Sequence, residues 1–541
     1  MRVLSDWRHP MHTAANSKGN LFEPLKIPIY RALWIATIFS NIGTLMQNVG
    51  ASWMMTSLTP STTLVGLVQT ASTLPVFLVG ILAGVLADIV DRRWLLLITQ
   101  TWMLLSATAL GVVTLTGHTT PWMLLALTFS LGFGAAMNLP AWQAIMQDIV
   151  PRESVAAAVS LNSMAFNVAR SVGPALGGFV VAWGGAASVF FLNALSFIAV
   201  VGVLWVWKPV IRERDHLSED VIGAIRAGTR YVLHAHRVHA PMIRSAAFVL
   251  CGGSIWPLLP LMARDVLKTT AAGYGAMLAA IGVGSIISAL LLPRFRKSVA
   301  LDWIIGVSTG LLIIACFTLA FSSQRMVIFG ALVLAGMAWI GVLVNFNVAV
   351  QTSVPAWVRG RAISFYLLIF QGMLAAGGAI WGYLAGQVGT QEAFGISGIG
   401  LLLGLILIRW FPLHLEENLD LSPSAHWPEQ EIHHVEAEMD DGPVLVNVEY
   451  FVKPENVSEF RLVMQKMREL RLRDGAIRWR LYRDMSDPGR YIELFRVHSW
   501  AEHMRQNERF TMDDRQLKAR VYAMHTGEEH PRVSHFLSVE E

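Results

Sequence analysis

Charge is scarce in this chain. Of its 541 residues only 15% are Asp, Glu, Lys or Arg, against about 25% in ordinary soluble proteins, and that deficit is the first sign of a membrane protein. Cysteine is scarcer still. Cys251 and Cys316 both lie in apolar stretches, which excludes a disulfide framework and a CxxC metal site. The net charge of +4 argues neither for nor against nucleic acid, but no run of Lys and Arg is long enough to track a phosphate backbone, so nucleic acid is not an expected partner. The opening 28 residues lack the apolar core of a signal peptide, so the first hydrophobic segment is expected to act as its own membrane signal.

What is abundant is apolar surface. Hydrophobic residues make up 54% of the chain, with 19 Trp and 44 Gly, and mean hydropathy is +0.48. A helix spanning a bilayer needs about 20 mostly apolar residues. Twelve segments qualify: 31–56, 63–87, 94–116, 121–147, 154–182, 187–207, 241–263, 272–292, 301–321, 326–353, 361–386 and 391–412. Cations sort strongly among the loops. One set carries Arg31, Arg92, Arg93, Arg152, Lys208, Arg212, Arg294, Arg296, Lys297, Arg359, Arg361 and Arg409; the other carries only Arg264, Lys268 and Arg325. Loops rich in Lys and Arg stay in the cytoplasm, so both termini are expected there, in a multi-pass protein of the inner (plasma) membrane.

The two halves repeat. A shift of 204 residues carries Gln147, Val150 and Pro151 onto Gln351, Val354 and Pro355. It also carries Gly173 onto Gly377, Gly178 onto Gly382, Arg92 onto Arg296 and Arg93 onto Lys297. Six helices separate the copies, so both halves share one orientation and are expected to flank a central cavity. The expected organisation is an N-terminal tail (1–28), a six-helix half (29–207), a cytoplasmic linker (208–240), a second six-helix half (241–412), an acidic linker (413–442) and a small domain (443–541). In that last domain Val444, Val446, Val448 and Tyr450 alternate with polar residues, as a half-buried strand does. A helix near 455–472, strands at 476–484 and 490–498, a helix at 499–524 and a strand at 532–539 complete a β-α-β-β-α-β order, the ferredoxin-like pattern. The fold class is thus an all-α membrane protein with a C-terminal α+β domain.

Several polar residues fall at membrane depth, where they are costly and usually functional. Asn41, Thr44 and Asn48 form a stripe on the first segment, with Gln47 beside them. Asn138, Trp142 and Gln143 lie on the fourth; Asn167 and Arg170 on the fifth; Asn345 and Asn347 on the tenth; Gln371 on the eleventh. Neutral amides beside Trp and Met suit a large amphipathic small molecule better than an ion or a sugar, and each amide serves interhelical packing about as readily as ligand contact. The loop from Gly84 to Arg93 places Asp88 and Asp91 at helix ends beside Arg92 and Arg93. A charge cluster that forms in only one state biases a two-state equilibrium. The fifth segment carries Gly173, Pro174, Gly177 and Gly178, which permit close helix approach and weaken the helix locally.

The Gly84–Arg93 loop (G-x-L-A-D-x-x-x-R-R) resembles the signature motif of the major facilitator superfamily. Gly173–Gly178 (G-P-x-x-G-G) resembles its antiporter motif, which implies export. With Ser52-Trp53-Met54-Met55, Pro140-Ala141-Trp142-Gln143 and Arg170-Ser171-Val172-Gly173-Pro174, residues 30–412 are similar to its siderophore and macrolide exporters. The resemblance implies alternating access, export of siderophores, antibiotics or drugs, and protons as the coupling ion. Two departures stand out: no Arg precedes Gly132-Phe133-Gly134, and the first segment offers Thr44 and Asn48 where drug exporters often carry an acid. Residues 443–541 resemble the ferredoxin-like group that includes antibiotic-biosynthesis monooxygenases, with Trp500, His503, Arg509 and Phe510 of first interest and a dimer through this domain as an expectation. His498, His503, His525, His530 and His535 read as surface or packing residues, so no metal, cofactor or catalytic residue is assigned. A membrane-tethered monooxygenase and an importer of the same fold are the alternatives.

Overall fold

The computed structural model describes residues 21–207, 221–296, 298–413, 420–422, 424, 441–527 and 530–539. The first part of the 208–240 linker and most of the acidic linker, including Glu429, Glu431, His433 and His434, lie outside the described residues. The apolar runs become long helices: α1 (Pro28–Leu58), α2 (Thr62–Ile89), α3 (Arg92–Leu115), α4 (Pro121–Ile149), α5 (Val155–Val206), α6 (Val221–His234) and α7 (His236–Gly252). The series continues with α8 (Ile255–Leu261), α9 (Ala271–Phe295), α10 (Leu301–Phe321), α11 (Arg325–Thr352), α12 (Arg359–Val388) and α13 (Thr390–Trp410). Among the described residues, ten helical spans are long and apolar enough to cross a membrane.

Local chemistry sets the helix ends. Pro121 opens α4 and the Thr120 hydroxyl accepts the Met123 N–H at 3.3 Å, a proline start joined to a side-chain cap. The 52-residue α5 is interrupted at Gly185. Its φ of +76° is a left-handed conformation open mainly to glycine, and it falls between the fifth and sixth expected segments.

By backbone proximity the chain divides into two compact units. The first comprises Met1–Met54, Leu82–Arg212 and Ala271–Ala279; the second comprises Met55–Ile81, Glu213–Thr270 and Ala280–Glu541. In the first unit, Tyr30, Leu33, Leu96, Ala141, Trp142, Ile145, Leu161 and Leu204 form a core cluster. Two long-range bonds fix it: the Tyr30 hydroxyl donates to the Ala158 carbonyl and the Trp34 indole to that of Leu161, both at 3.0 Å. In the second unit, Ser254 and Ser397 share a hydrogen bond of 2.8 Å, and Ser397 also donates to the Cys251 carbonyl. Around them Trp339 meets Phe248, Trp256 and Phe370 at ring separations of 5.8, 5.5 and 6.3 Å.

The C-terminal part of the second unit carries a small antiparallel sheet of β1 (Val444–Phe451), β2 (Arg478–Arg483), β3 (Arg490–Val497) and β4 (Val533–Leu537), in the order β2-β3-β1-β4. The alternation holds: Val444, Val446, Val448 and Tyr450 are buried against α14 (Val457–Asp474), which presents Phe460, Met464 and Met467. One expectation is corrected. The helix expected at 499–524 is two helices, α15 (Trp500–Arg509) and α16 (Met512–Ala523). Thr511 and Asp514 form a capping box that begins a new helix.

Candidate functional site

In the first unit, the loop joining α2 to α3 is held by three side chains. Asp91 caps α3, accepting from the backbone N–H groups of Arg93 and Trp94 at 2.8 and 3.2 Å. Arg92 pairs with Asp148 of α4 at 2.8 Å. Arg93 donates to the Leu204 and Trp205 carbonyls at 3.0 and 2.6 Å, where a cation meets the negative end of α5. The sequence assigned all three to a switch; the structure gives each a distinct partner. The Asp88 side chain lies outside the described residues, and a Cβ on Gly84 would touch nothing within 4 Å.

The glycines of α5 make close contacts. A Cβ on Gly173 would sit 2.9 Å from Leu45, and one on Gly177 2.8 Å from the Met46 backbone. On Gly178 it would sit 2.6 Å from Gly275 Cα. Pro174 also lines this approach, its carbonyl 3.1 Å from a Cβ on Gly275. The second unit holds a matching seam: a Cβ on Gly66 would lie 2.3 Å from the Gly378 carbonyl and 2.7 Å from Gly382 Cα. Thr62 and Thr70 close it, donating to the Gly382 and Ala375 carbonyls at 2.8 and 2.7 Å. Gly178 and Gly382 are counterparts under the 204-residue shift, and each sits in a glycine-to-glycine contact. Small residues let helices approach this closely. Nearby in the second unit, Arg264 donates to the Thr56 and Thr59 carbonyls at 3.1 and 3.2 Å. The sequence had read it only as a loop cation.

The polar residues at membrane depth separate by environment. In the first unit, Thr44, Asn48, Gln143 and Asn167 are exposed, while Asn41 and Arg170 are half-buried. Asn167 donates to the Ser163 carbonyl of its own helix. Asn138 accepts from Thr99 and Gln100 at 3.2 and 3.3 Å, and Trp142 is buried in the core cluster. In the second unit Asn345 is fully buried and donates to the Gly341 carbonyl. Asn347 accepts from Gln351, and Gln371 is half-buried. Asn193 was missed: it is 1% exposed and bonds Gln47 and Thr44. A lone Asn inside an apolar run was the available signal.

In the C-terminal part of the second unit, Glu502 accepts from Arg230 of α6 at 2.6 Å and from Arg509 at 2.8 Å. Burial would raise the Glu502 pKa, but Arg509 and Arg230 outweigh it and hold the carboxyl below the usual glutamate value. Arg509 lies over the Trp357 ring at 4.8 Å, and Trp357 meets Tyr231 edge-on at 5.5 Å. Of the other expected residues, Trp500 meets His503 at a tilt and His535 edge-on, at ring separations of 5.4 and 5.6 Å; the two histidine Nε2 atoms are 3.0 Å apart, and Phe510 packs on the core beneath the sheet.

The family model described as "Transmembrane secretion effector" matches residues 19–541. The staphyloferrin A transporter of Staphylococcus aureus is 25% identical over 391 residues, covering 71% of this chain and 96% of that protein. The enterobactin exporter EntS of Escherichia coli is 25% identical, with 71% and 92% covered. The multidrug efflux pump Tap of Mycolicibacterium fortuitum is 24% identical, with 69% and 92% covered. Among solved structures, a bacterial homologue of the lysosomal transporter Spinster in an inward-facing, unoccupied conformation superimposes with a TM-score of 0.59 at 15% identity, over 72% of this chain and 98% of that one.

Proposed function

Because the chain belongs to the transmembrane secretion effector family of major facilitator transporters, we propose that it exports small amphipathic organic molecules by alternating access. It is a multi-pass membrane transporter of small molecules and not an enzyme. The finer reading has twelve spans, counting α1 and dividing α5 at Gly185, with both termini cytoplasmic. The substrate is a siderophore, antibiotic or drug, and the coupling ion is the proton.

The glycine seams carry this reading. Gly178 against Gly275, and Gly66 against Gly378 and Gly382, allow helices to touch backbone to backbone, and no side chain needs to rotate for them to part. Such contacts suit surfaces that open and close as rigid bodies, because packed interfaces are bistable rather than continuously deformable. Within the first unit the proposed substrate contacts are Asn41, Thr44, Asn48, Gln143, Asn167 and Arg170; within the second they are Asn347 and Gln371. The export direction rests on Gly173–Gly178 and on relatives named for siderophore export and drug efflux. The test is accumulation of ethidium and of a catechol siderophore in cells. Cells making the wild-type chain should retain less than cells making Gly178→Val; equal retention would overturn the reading.

A further inference from the structure

The internal repeat breaks where the first unit keeps its charge cluster. Under the 204-residue shift Arg92 and Arg93 correspond to Arg296 and Lys297, so the cations persist. The acids do not: Asp88 becomes Leu292, Asp91 becomes Phe295 and Asp148, the partner of Arg92, becomes Thr352. The nearest acid along the chain, Asp302, is engaged by Arg244 and by the Leu413 N–H. Among the described residues, no carboxylate pairs with Arg294 or Arg296.

Two of the positions that lost their acids, Leu292 and Phe295, line an apolar groove. Leu292, Phe295, Val299, Trp303, Val307 and Met337 border a cavity of about 290 Å³ on α9, α10 and α11. Its rim is open: Trp303 is 68% exposed and Phe295 53%. Arg294 and Arg296 are the chain neighbours of Phe295, one of the lining residues, at the C-terminal end of α9. A cation pair without counter-charge, set at the end of a groove on membrane-spanning helices, matches a ligand with an anionic head and an apolar tail.

We propose that this groove is a binding site for one anionic phospholipid, its acyl chain along Leu292–Met337 and its phosphate on Arg294 and Arg296. The lipid supplies the negative charge that Asp148 supplies to Arg92 in the other half. Basic sites between spanning helices capture lipid headgroups in this way, and long Arg stems reach from apolar surface to the headgroup layer.

The test uses the full chain, delipidated in mild detergent and titrated with phosphatidylglycerol, phosphatidylcholine or glycerol 3-phosphate. Bound lipid is read by native mass spectrometry and stability by thermal shift. Phosphatidylglycerol should bind at one per chain and stabilise, while the other two should not. Arg294→Gln and Arg296→Gln should each weaken binding about fivefold, and Val307→Trp should remove it by filling the groove. Arg359→Gln, a cation away from the groove, should bind as wild type does. Equal binding of phosphatidylcholine, equal stabilisation by glycerol 3-phosphate, or wild-type binding in both Arg294→Gln and Arg296→Gln would each overturn the proposal. Should a variant fail to fold, the wild-type comparison of the three ligands still decides.

Discussion

Gly66→Val should open the seam of the second unit. The new Cβ would lie 2.3 Å from the Gly378 carbonyl oxygen and 2.7 Å from Gly382 Cα. Both are backbone atoms, so neither can rotate away. Reaching an ordinary contact of 3.4 Å requires the helices to part by about 1.1 Å (3.4 − 2.3) before valine's methyls are counted. Overpacking of this kind costs about 1–3 kcal/mol. Parting also stretches the Thr62 and Thr70 bonds of 2.8 and 2.7 Å, each worth about 1 kcal/mol. The closed seam should therefore lose about 3–5 kcal/mol, roughly a hundredfold fall or more in its closed-to-open equilibrium constant, since 1.4 kcal/mol is tenfold. The assay labels Ser61→Cys beside Thr62 with an impermeant maleimide, after Cys251 and Cys316 are replaced by Ser. Labelling should rise and transport should fall. Gly330→Ala, on α11 with nothing near its Cβ, is the control and should leave both unchanged. Unaltered labelling and transport in Gly66→Val would refute the reasoning.

Two residues singled out by the sequence and two contacts in the structure give the further outcomes. Arg170→Ala and Asp88→Asn should each cripple transport without blocking membrane insertion, checked by transport and membrane content; wild-type transport in both would remove their assigned roles. Asp148→Asn breaks the Arg92 pair, whose side chains are 32% and 40% exposed; such pairs are worth about 0–1 kcal/mol, so the melting temperature should barely move while the transport rate falls. Glu502 has a depressed pKa, so its contribution is fully present above the ordinary glutamate value of about 4.3 and is lost as pH falls through the lower folded value. A fluorophore pair on Ser298→Cys and Ser486→Cys should therefore report release of the C-terminal domain only in that acid range, and Glu502→Gln should report it at neutral pH.

Long apolar runs were legible because about 20 such residues have few stable homes outside a bilayer. The β1 strand was legible because Val444, Val446, Val448 and Tyr450 alternate with polar residues. Gly178 stood out because glycine at a fixed place in an apolar helix signals close approach; its partner Gly275 did not, because partners across space leave no trace in periodicity. Asp91, Arg92 and Arg93 read as one cluster in sequence, yet one caps a helix, one pairs with Asp148 and one meets carbonyls near residue 204. Charge and spacing named the residues without naming the partners. Asn345 and Trp142 looked like candidates for ligand contact because polarity or size marks them, and only packing revealed that both are buried. The break at Phe510 was hidden because Trp500 to Met524 keeps a helical pattern across it, and a capping box of two side chains decides the boundary.

Inside-out membrane vesicles provide the most direct measurement. With the lumen acidified, the wild-type chain should drive ethidium or a siderophore inward, the uptake should collapse with a protonophore, and Gly178→Val should show none. Uptake that ignores the pH gradient, or that appears only in right-side-out vesicles, would contradict proton-driven export.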